Sequence, residues 1–460
     1  MIYLKKNYTE LFNKITIISG LIVFATLFAF YLIGQKHIVS GLSICIFIFS
    51  FYTFKKGRYK FSSGLLIGLL IFLIGSIIRG TLSISEIREW DFLCLYHFGK
   101  IGVSDGSFYN PIHSFQVFDS WSIKTNVSES FIDEIVNVGF WYPPPTMFLF
   151  ITLGFFKIDT ANILWNGFVL LTLLISLLLI LKLFVKKGQH WNNTLFLITI
   201  FLIYSATKHT LAVSQTNFLI LIFLVLIIKN LDNWKAGLFL AFAIIIKPIA
   251  IFWGLYFLVF KRFKALLAII ITGILFSILT GIIFGFEQYS EYFISPPTKR
   301  IPQLVYSEDI NQSLNSVLIR VSSNFTFIGN KIIKYSSISL SILFLIINVF
   351  LSVKLEKNDP KLAFMSFIPF SLIIYPAALS HYSVFMIPIY CYYLSEDNNN
   401  SIIVILICAL FGIYYSAFLT HLFILIIIYL KIKDPIRNTS LFDICNKKLK
   451  KSLEGIQVNK

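Results

Sequence analysis

Charged side chains are scarce in this sequence. Asp, Glu, Lys and Arg supply 13% of its 460 residues, about half the share of a soluble domain. Acids are the scarcer sign, 22 against 39 Lys and Arg. So few charges cannot cover a soluble globule of this length. The 57% hydrophobic content and mean hydropathy of +0.81 place most of the burial in lipid. Cysteine is sparse too. Cys45, Cys94, Cys391, Cys408 and Cys445 lie apart, with no CxxC and no Cys/His ligand spacing, so zinc and haem have no support and a structural disulfide is not expected. There is no Walker motif, no GxGxxG after a strand, no HExxH and no GxSxG. No DxD-type pair appears between residues 81 and 144, which argues against a metal-held nucleotide sugar. No metal or other cofactor is expected.

What is present is a series of apolar runs, rich in the 49 Phe. The fold class they predict is an all-α polytopic integral membrane protein. Spans are expected near 15–34, 38–54, 62–80, 160–185, 193–208, 214–229, 235–247, 249–260, 265–285, 333–353, 361–379, 383–395 and within 401–431. The first reads as a retained helix rather than a signal peptide, because no small-residue cleavage site follows it. "KKGRYK", with Lys55, Lys56, Arg58 and Lys60, fixes its loop and the N-terminus inside. The net charge of +17 is thereby a topology signal, and no nucleic-acid partner is expected. An inside start and a basic inside tail, 432–460, require an even number of crossings, expected as twelve or fourteen. Two large outer loops follow, 81–144 and 286–332, within one transmembrane domain, 1–460. The first holds Glu86, Glu89, Asp91, Asp105, Asp119, Glu129, Asp133 and Glu134 against Arg88, Lys100 and Lys124. "WYPPPTMFLFITLGFFKI" is too short to span comfortably and reads as a re-entrant or interfacial helix.

Asp91 heads the residues that carry chemistry. It follows a membrane exit by about ten residues and sits between Trp90 and Phe92. A carboxylate at an apolar boundary has its pKa pushed up, which suits a general base; a solvated loop acid is the plainer reading. His381 lies between two apolar runs at an outer end. It is either functional or an interfacial histidine with Tyr382 as anchor. Lys208, His209, Lys247, Lys299, Arg300 and Arg320 are outer cations, against the general sign rule. Singly they are surface charges; as a set they fit an anionic lipid phosphate. Gln215 and Asn217 open an apolar helix, where they either bond neighbouring helices or hold sugar hydroxyls.

Taken in order, several stretches resemble the GT-C superfamily of membrane glycosyltransferases, specifically glycosyltransferase family 87, the polyprenyl-phosphate-mannose-dependent mannosyltransferases. They are Asp91-Phe92 with Tyr96, then Tyr109-Asn110-Pro111, then Phe140-Trp141-Tyr142-Pro143-Pro144. Ser214-Gln215-Thr216-Asn217, Lys247-Pro248, Asn311-Gln312-Ser313-Leu314 through Arg320, and His381-Tyr382 follow. The resemblance spans roughly 85–395. Ser214 stands where Gly is usual, Asn110 where Asp is, and one His where many members have two.

The resemblance implies a GT-C-like bundle with short juxtamembrane helices in the first outer loop. It implies a polyprenyl-phosphate-sugar donor, mannose its expected sugar, and a lipid or glycan acceptor, in a bacterial inner membrane with the site facing outward. Asp91 would act as base in an inverting transfer, with His381 also catalytic. Arg320, Lys247, Lys208 and His209 would hold the donor phosphate. Trp90, Tyr96, Trp141, Tyr142, Gln215, Asn217, Asn311, Gln312 and Tyr382 would contact sugar or acceptor. Transfer of another sugar is a rival within the class. A transporter or flippase is a rival outside it, but such proteins carry charges within helices and two related halves, and neither is evident. A polymerase or ligase of lipid-linked glycans is a third, against which the acidic first loop stands.

Overall fold

The computed structural model describes residues 13–82, 90–104, 107–122, 142–186, 189–294, 311–323, 330–395 and 417–433. Phe140, Trp141, Lys124, Lys299, Arg300, Cys408, Cys445, six of the eight first-loop acids or their neighbours in 83–89, 105–106 and 123–141, and the tail from 434 lie outside them. The described chain is helical. It opens with α1 (Lys14–Leu32), α2 (Lys36–Lys55) and α3 (Tyr59–Leu82). The helices α4 (Trp90–Gly102), α5 (Pro111–Ser122) and α6 (Met147–Gly154) follow, then α7 (Ile158–Phe184), α8 (Trp191–Ile203) and α9 (Ser205–Ala212). Next come α10 (Asn217–Lys229), α11 (Trp234–Ile246), α12 (Gly254–Val259), α13 (Phe263–Phe284) and α14 (Glu287–Ile294). The last are α15 (Leu314–Ser322), α16 (Asn330–Glu356), α17 (Pro360–Met365), α18 (Phe367–Ile374), α19 (Ile387–Ser395) and α20 (Ala417–Lys433).

Among the described residues, six helices are long and apolar enough to cross a membrane: α1, α2, α3, α7, α13 and α16. The pair α8 and α9 passes as a seventh span, bent by 50°. Tyr204 makes that break with an extended backbone, where the sequence reads as one continuous run. Other apolar runs are shorter helices, including α10, α11 and the stretch Pro360–Ile374, which the apolar pattern alone reads as full spans. At 1.5 Å per residue an eight-residue helix covers well under half of a bilayer core, so α6, with 8 residues, cannot cross. The protein is an all-α polytopic membrane protein.

The chain divides into two compact units. The first comprises Met1–Ser76, Ile180–Ser205 and Met386–Lys460. There Ser63 donates to Asn192 Oδ1, Asn192 donates to the Tyr59 carbonyl, and the Tyr204 and Tyr390 hydroxyls pair at 3.3 Å. The second comprises Ile77–Leu179 and Ala206–Phe385, and it carries every described residue singled out for chemistry.

Within the second unit, α4 lies directly on α6. A Cβ on Gly99 would stand 2.5 Å from the Phe150 carbonyl oxygen, and one on Gly154 would collide with the Gly99 carbonyl. Only glycine permits this approach of two backbones. Lys100 then donates to the Gly154 carbonyl at 2.8 Å, a cation on a helix C-terminus, and the Tyr96 hydroxyl donates to the Phe156 carbonyl at 3.1 Å. On its other side, α4 is tied to α5 by His97 Nε2 and Ser114 Oγ at 2.9 Å. Burial holds the His97 imidazole down at about 3, so that contact joins neutral groups. Asp91, in the first turn of α4, is thereby placed by a helix fixed on two sides.

Gly154→Ala is expected to push α4 off α6 and cost about 1–3 kcal/mol, read as a lower thermal midpoint in detergent. Gly167→Ala, where an added Cβ meets nothing within 4 Å, is expected to be neutral or slightly stabilising. Equal midpoints for the two would show the contact to be slack.

Candidate functional site

Three prolines set up the site. The residue before a proline is pushed out of the helical region, and here those residues are Tyr142, Lys247 and Tyr375. Lys247 ends α11 in an extended conformation at φ −141°, ψ 117°. Tyr375 ends α18 likewise at φ −70°, ψ 119°. Each leaves its helix at the break and turns inside the unit. Tyr142 precedes Pro143, and its carbonyl accepts from the Tyr109 hydroxyl at 2.9 Å. Asn110, next in that element, caps α5 by accepting from Ile112 N at 2.9 Å, with Pro111 as the first helical residue. An Asp would cap equally well, which explains why either residue suits the position.

A different device aims Gln215 and Asn217. Ser214 has a left-handed backbone, φ 50°, the region that favours the glycine usual at this place. Its carbonyl accepts from Trp165 Nε1 at 2.7 Å, and its hydroxyl donates to Asn166 Oδ1. This turn sends Gln215 toward Asp91 and Asn217 toward Lys247.

The floor of the site is buried and tightly bonded. Lys247, 2% exposed, donates from Nζ to Asn217 Oδ1 at 2.7 Å and lies 4.0 Å from the centre of the Tyr382 ring, a cation–π contact. Asn217 Nδ2 donates to the His381 carbonyl and to Thr210 Oγ1, both at 3.2 Å. The His381 ring packs edge-on against those of His209, centroids 5.3 Å apart, and Tyr382, 4.8 Å apart. His209 Nδ1 is 3.0 Å from Ser380 Oγ. His381 is 2% exposed, and neither of its ring nitrogens has a hydrogen-bond partner among the described residues. Burial first, then the charge of Lys247 and the neighbouring His209, holds its pKa well below the ordinary value, so the ring is neutral.

The rim is partly open. Asp91, Cys94, Tyr142, His209, Tyr375 and Tyr382 are half-buried. Burial raises the Asp91 carboxyl above its ordinary 3.8; the Gln215 side chain and the charges of Lys247 and His209 pull it back. Burial also raises the Tyr142 hydroxyl, and Asp91 adds to the rise. Asp91, Gln215, Lys247, His209, Tyr142, His381, Tyr382 and Asn217 are therefore one cluster.

Other singled-out residues stand elsewhere. Tyr96 bonds the α6–α7 junction. Lys208 is half-buried on α9. Asn311, Gln312 and Arg320 form a bonded group around the start of α15. Trp90 begins α4, and Trp141 lies outside the described residues. Tyr375 was missed from the sequence; its place before Pro376 is the signal that identifies it. Among the described residues no cluster of His, Cys, Asp and Glu is placed to hold a metal ion.

The chain matches the family model described as Glycosyltransferase family 87 over residues 140–380, more than half its length. The matched stretch contains Tyr142, Gln215, Asn217, Lys247, Asn311 and Arg320. It starts after Asp91 and stops one residue before His381. No curated protein and no solved structure matches the chain. With a membrane-embedded helical fold and this match, the chain belongs to glycosyltransferase family 87 and is an integral membrane glycosyltransferase.

Proposed function

We propose that the protein moves a hexose, mannose by family resemblance, from a polyprenyl-phosphate-sugar to a lipid or glycan acceptor at the outer face of the membrane, with inversion. One observation carries this reading. Asp91, the one carboxylate of the cluster among the described residues, interacts with Lys247 and His209, and His381 beside them has no partner for its ring nitrogens among the described residues. A base beside a lysine whose pKa burial lowers to about 7, against the pull of Asp91, and a neutral imidazole suits a reaction that takes a proton on one side and releases a phosphate on the other.

The acceptor hydroxyl attacks the anomeric carbon. Its oxygen forms the new bond to C1, and the bond from C1 to the phosphate oxygen breaks, its electrons leaving with the lipid phosphate. Asp91 takes the hydroxyl proton. An inverting displacement needs one carboxylate on the attacking face, by analogy with inverting glycosidases. Lys247 and an N–H of neutral His381 meet the negative charge that grows on the departing phosphate. The Gln215 amide keeps the Asp91 carboxylate oriented, and the Tyr142 and Tyr382 rings offer apolar faces and hydroxyls to the sugar.

The test is transfer by the protein in nanodiscs, with radiolabelled polyprenyl-phosphate sugars and nucleotide sugars offered separately and a lipid extract as acceptor. Transfer is expected from a lipid-linked donor alone. Asp91→Asn is expected to lower it by about 10²–10⁴-fold. Unchanged transfer in that variant, or a nucleotide sugar as sole donor, would overturn the reading.

The raised Asp91 pKa sets the sign of the pH dependence. The base must be ionised, so the acid limb of kcat/KM is expected above the ordinary value of 3.8; a limb at or below that value counts against Asp91.

The same shift predicts that Asp91→Asn stabilises the fold. Below pH 3.8 the carboxyl is protonated in folded and unfolded states, and no gain is expected from the lost charge. The gain grows as pH rises toward the raised folded value and stays constant above it. Thermal midpoints of both proteins across this range check it, and a variant that melts lower at neutral pH would refute it.

A further inference from the structure

The segment Tyr375–Tyr382 links α18 to the turn that carries His381 and Tyr382, and it is held from outside the site. Asn311 Nδ2 donates to the Pro376 carbonyl at 2.8 Å, and Ser313 Oγ donates to the same carbonyl at 3.1 Å. Gln312 N donates to the Ala378 carbonyl at 2.8 Å, and Asn311 pairs with Leu379 as an isolated antiparallel bridge. Leu379 in turn accepts from Tyr382 N at 2.8 Å. On the far side, the His381 carbonyl is fixed by Thr210 and Asn217.

Asn311 is fully buried, and both ends of its carboxamide are in use. Its Oδ1 accepts from Ser313 N at 3.0 Å while Nδ2 holds Pro376. Arg320 reaches back across one side of α15 and donates from Nη1 to the Asn311 carbonyl at 2.9 Å and to Ser316 Oγ at 3.1 Å. The Asn-Gln-Ser-Leu…Arg pattern is thus a helix start, capped by Ser313 onto Ser316 N, with a guanidinium locking the residue that grips the strap.

The geometry assigns Asn311 as a positioning residue for His381 and Tyr382, with Arg320 acting through Asn311 rather than on a donor phosphate. The roles given to His381 and Tyr382 rest on the proposed function; the grip on the strap does not. A displacement of about 1 Å at reacting groups costs up to about 10²-fold in rate, so a strap loosened at Pro376 has a measurable effect.

The experiment uses the full chain in nanodiscs and two readouts. Hydrogen exchange over 376–382 is expected to speed up in Asn311→Ala while α10 and α11 stay protected, because local opening is confined to the released segment. Transfer is expected to fall by about 10–10²-fold with the acid limb of the pH profile unmoved, since Asp91 is untouched. Arg320→Gln is expected to show the same two changes, smaller, and to be non-additive with Asn311→Ala. Should Asn311→Ala fail to insert, Asn311→Ser retains a hydroxyl for Ser313 N and loses the carboxamide bond to the Pro376 carbonyl, leaving only that of Ser313. Unchanged exchange in the strap, or faster exchange with undiminished transfer, overturns the assignment of Asn311. Additive losses, or an Arg320→Gln defect without faster exchange, overturn that of Arg320. A wild-type protein inactive with every lipid-linked donor sinks the proposed function instead, and the exchange readout still decides whether the strap is gripped.

Discussion

Lys247 is buried, burial lowers its pKa to about 7 while Asp91 pulls it back up, and the groups that hold it reach most of the site. It bonds Asn217, lies over the Tyr382 ring, and shares an electrostatic environment with Asp91. A buried charge left without partners costs several kcal/mol, so Asn217 and the Tyr382 ring support the charged form of the lysine. Asn217 passes the constraint on, because its amide also carries the His381 carbonyl and Thr210. Removing the ammonium would thus loosen α10, the His381 turn and the ring beneath it together.

That constraint depends on a backbone rule rather than on side-chain packing. Pro248 denies Lys247 a helical conformation, so the side chain leaves the line of α11 and can turn inward. Pro376 does the same to Tyr375, and Pro143 stands after Tyr142. In a helical membrane protein such breaks are affordable only where freed backbone groups find partners inside the protein. The Pro376 carbonyl finds Asn311 and Ser313. Function and helix breakage coincide because the breaks are where polar side chains and polar backbone can satisfy each other.

Much of this was legible in the sequence. Apolar runs and basic loops gave the helical membrane class, and α1, α2, α3, α7, α13 and α16 begin and end close to where the runs do. The rise of the Asp91 pKa follows from an acid placed against aromatic neighbours. Less legible were the breaks without proline. Tyr204 interrupts an unbroken apolar run, and composition carries no mark of it. The partners of a polar side chain were least legible. Arg320 reads as an outer cation, and only the fold reveals that it bonds a carbonyl nine residues away. The second imidazole beside His381 comes from His209, far off in sequence, so spacing along the chain could not pair them.

The polar groups of the site fall into two kinds, and the division carries information. Lys247, Asn217 and Asn311 have their bonds made inside the protein. Among the described residues, His381 has neither ring nitrogen bonded, and the Gln215 side-chain oxygen and the Thr216 hydroxyl are also without partners. A buried polar atom without a bond costs about 1–3 kcal/mol. The saturated groups hold a frame, and of the unsaturated side chains Gln215 is hydrogen-bonded to Asp91. Such an arrangement reorganises little when a polar ligand arrives, since the frame has already paid for its order. Donors fixed before the charge develops are what make electrostatic stabilisation effective. These unmet bonds are open to a polar ligand that enters the cluster.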